Sequence, residues 1–257
     1  MLARENVLGV GISAVNMEIA VQTVGEWIDK RERHYVCVTG VHGVMESQRS
    51  PDLRRVHNES GMVVPDGMPL AWLLRLAGRT GTDRVCGPEL MPRLFAESQQ
   101  RGDRHYLYGA TAETLERLRQ RLALIAPGAS VVGSCAPPFR PLTPDEDARV
   151  VADINACRPD IVWVGLSTPK QEIWMAAHRA RLEAPVLIGV GAAFDIHAGV
   201  IDRAPKFLRR TGFEWTYRLF KEPRRLWRRY LANNPRFVAL VIMQKTGLRV
   251  LPLSPQL

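Results

Sequence analysis

Three stretches of this chain hold residue types that could do chemistry. Asp66 lies in VVPDGMP, after a short apolar run and before a helical pattern. A carboxylate at such a strand end could act as a general base on a hydroxyl. Pro65-Asp66-Gly67 is also a turn signature, so the same residue could serve only as a turn or helix-capping side chain. The second stretch, GLSTPKQE from Gly165 to Glu172, joins an apolar run to a helix. Backbone amides at a helix N-terminus attract phosphate, and Lys170 and Gln171 add donors. Ordinary capping by Ser167 or Thr168 would account for the same residues. The third, GAAFD from Gly191 to Asp195, follows the last apolar run. Small residues let a ligand approach the backbone, and Asp195 could hold a ribose or a ring N–H. Tight helix–sheet packing beside a solvent-facing Asp is the alternative.

Other chemistries leave no trace. GxxxxGK[ST], GxGxxG, GxSxG and HExxH are absent. His42, His105 and His197 are dispersed. Asp145-Glu146-Asp147 reads as an acidic helix N-terminus, favoured there by the helix dipole, and not as a metal-binding DxD. No metal and no other cofactor is expected. Cys37, Cys86, Cys135 and Cys157 show no CxxC spacing and read as reduced thiols of a cytoplasmic protein.

A charged segment accompanies these stretches. Residues 202–236 hold 11 Lys and Arg against three acids, so they carry +8 of the formal net charge of +9. At 100° per residue, Arg218, Lys221, Arg225, Arg228 and Arg229 fall in one sector of roughly 100°. Phe213, Tyr217, Phe220, Trp227 and Leu231 fall in another. Pro223 divides the segment, which predicts two helices with Pro223 near the start of the second. A basic face beside an aromatic one suits anionic lipid or a pyrophosphate, and would also suit RNA. A solvated face opposite a core face is the blander reading.

The elements that must position these residues are short apolar strands alternating with helices. Strands are predicted at 35–39, 62–64, 105–108, 130–133, 161–165 and 186–190, with a strand or hairpin at 7–15. Helices are predicted at 17–33, 42–48, 68–76, 89–100 and 112–124, from Thr143-Pro144 onward, and from Thr168 to about 181. The pattern predicts an α/β fold: a mostly parallel, Rossmann-like sheet covered by helices, with a helical, basic C-terminal appendage. Such sheets bind ligands at the carboxyl ends of their strands, where the residues above fall. The composition shift places a boundary near Gly199, giving a core over 1–199 and an appendage over 200–257. No signal-peptide pattern and no spanning run is found; FVALVIM at 237–243 is too short. Any membrane contact is therefore expected to be peripheral.

PDGMPLAWLLRLAG with RVCGPELM, GLSTPKQEIWM, and residues 189–231 together resemble the WecG/TagA/CpsF glycosyltransferase family. The resemblance spans about residues 7–231. It implies an inverting, metal-independent hexosyltransferase that moves a sugar of the N-acetylmannosamine type or a related hexose. The donor is a UDP-sugar and the acceptor a polyprenyl-diphosphate-linked sugar, at the cytoplasmic face of the bacterial plasma membrane. Family products are wall teichoic acid linkage units, enterobacterial common antigen or exopolysaccharide. An anionic membrane surface is an implied partner; nucleic acid is not. Apolar surface on a tail away from the membrane leaves room for a homo-oligomer.

Carried over by motif, Asp66 is the base. Arg84 and Gln171 lie near the sugar or diphosphate, Asp195 at the nucleoside, and Arg218, Arg225 and Arg228 at phosphates. One departure affects the donor. Many members have Thr-x-Asn after the strand at 35–39; here Gly40 stands where that Asn aligns. The hydrogen bond to the donor sugar is then missing or is supplied by Thr39 or His42. The alternative function is a non-catalytic nucleotide- or RNA-binding module built on the basic segment.

Overall fold

The computed structural model describes residues 2–212 and 214–253, apart from the side chains of Lys206, Arg210, Arg225, Arg228 and Arg229. In chain order the elements are β1 (Arg4–Val7), β2 (Val10–Ser13), α1 (Met17–Asp29), β3 (His34–Thr39), α2 (Val41–Arg49), α3 (Pro51–Glu59), β4 (Met62–Pro65) and α4 (Met68–Leu76). Then come α5 (Gly87–Arg101), β5 (Arg104–Gly109), α6 (Ala112–Ile125), β6 (Ser130–Cys135), α7 (Pro144–Ala156), β7 (Ile161–Gly165), α8 (Lys170–His178), β8 (Val186–Gly189) and α9 (Ala193–His197). The chain closes with α10 (Lys206–Arg210), α11 (Glu214–Lys221) and α12 (Pro223–Lys245).

The main sheet has the strand order β4-β3-β8-β7-β5-β6. The pairings of β3 with β8, β8 with β7, β7 with β5 and β5 with β6 all run parallel. Strands buried on both faces need continuous apolar runs. VLIG of β8 and the IVWV of β7 supply them, buried throughout. The expected parallel α/β fold is thus the observed one. Residues 7–15 resolve as a separate antiparallel hairpin of β1 and β2. Its turn residues Leu8 and Gly9 both have positive φ, 54° and 81°.

Two local expectations need correction. Helix α3 has no counterpart in the sequence reading, because PDLRRVHNE has too few apolar positions to show a stripe. It starts on the Ser50 side chain, which accepts from Leu53 N at 3.2 Å, with Pro51 in the first turn. Helix α8 ends at His178 and is capped by neither Ser167 nor Thr168; its N-cap is Pro169, with no side-chain bond. Thr168 Oγ1 donates to Glu172 Oε1 instead, at 2.9 Å. At α7 the helix opens at Thr143-Pro144 as expected, and the structure adds a capping box between Thr143 and Glu146.

The chain forms two compact units: residues 1–16, 39–85 and 203–257, and residues 17–38 and 86–202. In the first, α12 docks through Leu226, Asn233, Phe237 and Leu240, all buried. These positions fall within roughly 60° at 100° per residue. Asn233 Oδ1 accepts from Arg49 of α2 at 2.8 Å. Gln244 closes the far end of the helix, accepting from Leu8 N at 3.0 Å and donating to Asn6 O at 3.4 Å. Among the described residues no helix is long and apolar enough to cross a membrane.

In the second unit, Trp163, Tyr106, Phe95 and His105 fill the core. His105 stacks on Phe95 with ring centroids 3.9 Å apart, and its Nδ1 accepts from Trp163 Nε1 at 3.1 Å. Burial pulls the His105 pKa down to about 3, so the ring is neutral. Arg179 caps the strand starts, donating to the carbonyls of His34, Pro185, Leu182 and Ala184.

Candidate active site

In the first unit, the carboxyl ends of β3 and β4 meet through one backbone bond: Asp66 N–H donates to Thr39 O at 2.8 Å. Gly67, at φ 123°, turns the chain into α4 and is its N-cap, with no side-chain cap bond. Gly67 and not Asp66 thus occupies the N-cap position, and Asp66 stands partly buried at the strand end. Gly40 lies directly against this turn. A Cβ there would sit 2.6 Å from the Asp66 carbonyl oxygen, so a side chain at position 40 would displace the Asp66 backbone.

Thr39 is buried, and its hydroxyl lies 3.0 Å from His57 Nε2. His57 Nδ1 lies 2.9 Å from Leu53 O, an obligate acceptor, so Nδ1 carries the proton. Burial lowers the His57 pKa to about 4, leaving the ring neutral. Nε2 is then an acceptor, and Thr39 must donate to it. His42, on α2, is partly buried. Its Nδ1 lies 3.7 Å from Glu46 Oε1 and 3.5 Å from Asn233 Nδ2.

Arg84, whose side chain is 10% exposed, donates to Glu214 Oε2 at 2.6 Å. Glu214 is the first residue of α11, and Arg218 sits one turn further along, partly buried. Arg225 and Arg228 belong to α12, but their side chains lie outside the described residues, as does Phe213. The chain does break at Pro223 into two helices, as expected. The aromatic sector is not a core face: Phe220, Trp227 and Leu231 are exposed. The helix docks instead through the stripe from Leu226 to Leu240. Trp227 and Leu231 continue along α12 with Val238 and Ile242, a second apolar stripe that is also exposed.

Gln171 and Asp195 stand in the second unit. Gln171 is buried in the first turn of α8; its Nε2 donates to Glu172 Oε1 at 3.1 Å, and its Oε1 has no protein partner. Gly189 and Gly191 leave the space beside it: a Cβ on Gly191 would lie 3.4 Å from Oε1. A buried acceptor beside bare backbone, at the carboxyl end of a parallel strand, is suited to a ligand donor. Asp195 is partly buried on α9, and its carbonyl accepts from Val200 N at 2.8 Å and Ile201 N at 3.2 Å.

Four residues of these networks are given no role of their own in the sequence reading. His57 and Asn233 sit in polar stretches with no periodicity to mark them as buried. Glu172 follows Gln171 in PKQE, and only its complete burial sets it apart from an ordinary first-turn acid. Glu214 is one acid in a basic segment, and its partner lies 130 residues away.

Each unit thus carries polar side chains at a strand end, Asp66 in the first and Gln171 in the second. Residues 5–250 match the model of the "Glycosyl transferase WecG/TagA/CpsF family", and the chain belongs to that family. It is a glycosyltransferase. It is similar to an N-acetylglucosaminyldiphosphoundecaprenol N-acetyl-beta-D-mannosaminyltransferase of Bacillus spizizenii, 30% identical over 84% of this chain and 81% of the relative. A protein of the same name from Bacillus subtilis is 24% identical over 94% of each chain. One from Staphylococcus aureus is 28% identical over 75% of this chain and 73% of the relative.

Proposed function

We propose that this enzyme transfers an N-acetylmannosamine-type sugar from a UDP-sugar to a polyprenyl-diphosphate-linked N-acetylglucosamine, inverting the anomeric centre, in the assembly of a cell-surface polysaccharide. The names of the relatives support the sugar and the acceptor. The observation that carries the mechanism is Asp66, a carboxylate at the end of β4 whose backbone N–H is bonded to Thr39 O. Asp66 takes the proton of the acceptor hydroxyl as that oxygen attacks the anomeric carbon. The bond from the anomeric carbon to the diphosphate breaks, and UDP leaves with the electron pair. Arg84, Arg218, Arg225 and Arg228 stabilise the charge on the departing diphosphate. Gln171 and Asp195 hold the donor, with its sugar and nucleoside respectively. His42 is a donor-sugar contact on the same reading.

The work is done at the cytoplasmic membrane face, with the enzyme docked peripherally. The exposed Phe220, Trp227, Leu231, Val238 and Ile242 beside a strongly basic segment support this. The test is UDP release over a panel of UDP-sugars, with and without a polyprenyl-diphosphate-linked N-acetylglucosamine. Acceptor-dependent release from UDP-N-acetylmannosamine above the other donors is the expected result. Release from none of them removes the proposal.

A further inference from the structure

We propose that Thr39 and His57 are positioning residues for the reaction, which fix the backbone of Asp66 through a series of three hydrogen bonds. The proposal rests on the reading of Asp66 as the base. The series runs from the α3 backbone to the turn after β4. His57 Nδ1–H donates to Leu53 O at 2.9 Å, Thr39 O–H donates to His57 Nε2 at 3.0 Å, and Asp66 N–H donates to Thr39 O at 2.8 Å. Two glycines set the packing around it. A Cβ on Gly40 would meet Asp66 O at 2.6 Å, and one on Gly43 would meet Thr39 Cγ2 at 2.8 Å. Thr39 is thus held at its hydroxyl, its methyl and its carbonyl.

The base of this series is itself anchored. Asn58, next to His57, accepts from Gly11 N at 2.9 Å and donates to Gly9 O at 2.9 Å, tying α3 to the β1–β2 hairpin. Gly67 at φ 123° places no side-chain limit on the path of the turn, and Pro65 O, just before it, accepts from Val85 N at 3.0 Å. A polar series is a costly way to fill a core, because each buried group must find a partner. An apolar pair at 39 and 57 would fill the same space without that requirement. What the polar pair adds is a tie between α3 and β3 at the residue whose carbonyl accepts from Asp66 N–H. The Thr39 hydroxyl proton is therefore committed within the protein.

The experiment uses the full-length protein with UDP-N-acetylmannosamine and a polyprenyl-diphosphate-linked N-acetylglucosamine. It compares Thr39→Val, Thr39→Ser, His57→Leu, His57→Gln and the Thr39→Val/His57→Leu double variant, with Asp66→Asn in parallel. Displacing a base by a fraction of an ångström to an ångström lowers kcat by about tenfold to a hundredfold. That loss is expected for Thr39→Val and for His57→Leu, with the donor KM held within about twofold. Thr39→Ser and His57→Gln keep a donor or acceptor in place and regain most of kcat. The double variant falls no further than the worse single, because both break one series. Wild-type kcat in Thr39→Val overturns the proposal, as do losses that multiply in the folded double variant, or a loss in Thr39→Val that follows loss of folded protein. Should His57→Leu not fold, Thr39→Val against Thr39→Ser decides alone. Wild-type turnover in Asp66→Asn instead removes the base assignment itself.

Discussion

Arg84 and Glu214 form an ion pair of 2.6 Å between the loop after α4 and the first residue of α11. It ties Arg84 of the motif RVCG to the basic C-terminal segment within one compact unit. The guanidinium is mostly buried, so the pair holds its direction.

The first prediction concerns that guanidinium. If Arg84 stabilises the leaving diphosphate, Arg84→Ala lowers kcat/KM by about a hundredfold, the scale of one preorganised donor. Arg84→Lys does not restore it, because a point charge cannot reproduce the fork. Glu214→Gln keeps an acceptor and loses only a few-fold. Steady-state UDP release measures all three, and full activity in Arg84→Lys would refute the role.

Gly40 offers a second test. Gly40→Ala places its Cβ 2.6 Å from the Asp66 carbonyl, so the turn must move. Turnover is expected to fall at least tenfold, on the same scale as other small misplacements of a catalytic group. Calorimetry should still show a cooperative transition. An alanine variant as active as the parent would show that the turn has slack.

Acid should weaken the fold before it protonates most carboxylates. His57 and His105 are buried and neutral, with pKa values lowered by burial from 6.5 to about 4 and about 3. The unfolded chain binds these protons at higher pH than the native one, so stability is complete above about pH 6.5 and declines as pH falls through the range down to about 4 and 3. The slope approaches about 1.4 kcal/mol per pH unit for each histidine. Urea unfolding between pH 7.5 and 5 measures it, ahead of the carboxylate range. A flat profile there would contradict neutral burial of the two rings.

The two apolar stripes of α12 should separate cleanly. Trp227→Ser with Leu231→Ser alters exposed positions, so the Tm holds. Co-sedimentation with anionic phospholipid vesicles is expected to drop several-fold, in line with lost buried apolar area. Asn233→Ala does the reverse: it removes a buried bond to the solvent-reached Arg49 and costs about 1 kcal/mol, with vesicle binding kept in the folded protein. Equal vesicle binding by the serine pair and the parent would remove this stripe from the membrane surface.

A last prediction concerns stability alone. Arg179 serves four backbone carbonyls, and burial lowers its pKa to about 10. Arg179→Ala leaves buried acceptors unpaired and should cost about 2–4 kcal/mol, with kcat unchanged well below the new Tm. A thermal shift assay paired with UDP release checks both halves.

Much of the architecture was legible because it rests on local physics. The runs IVWVG and VLIGV can only be buried strands, and the Thr143–Glu146 box is a short-range cap. The carboxylate after β4 was legible as well, since Pro-Asp-Gly must turn and a turn at a parallel strand end faces ligand space. Helix α3 was not, for its reason to be helical is tertiary: His57 and Asn58 are buried to hold Thr39 and the hairpin, and polar burial leaves no periodic mark.

The sequence by itself determined the α/β class, the strand ends where chemistry can occur, the division at Pro223 and the concentration of charge in residues 202–236. Each of these depends on residue type and spacing alone. Only the tertiary structure decided which face of α12 is core, that Arg84 pairs with Glu214, and that Thr39 is committed to His57. Those are choices among partners distant in the chain, and hydrogen bonds between them depend on positions that no local spacing encodes.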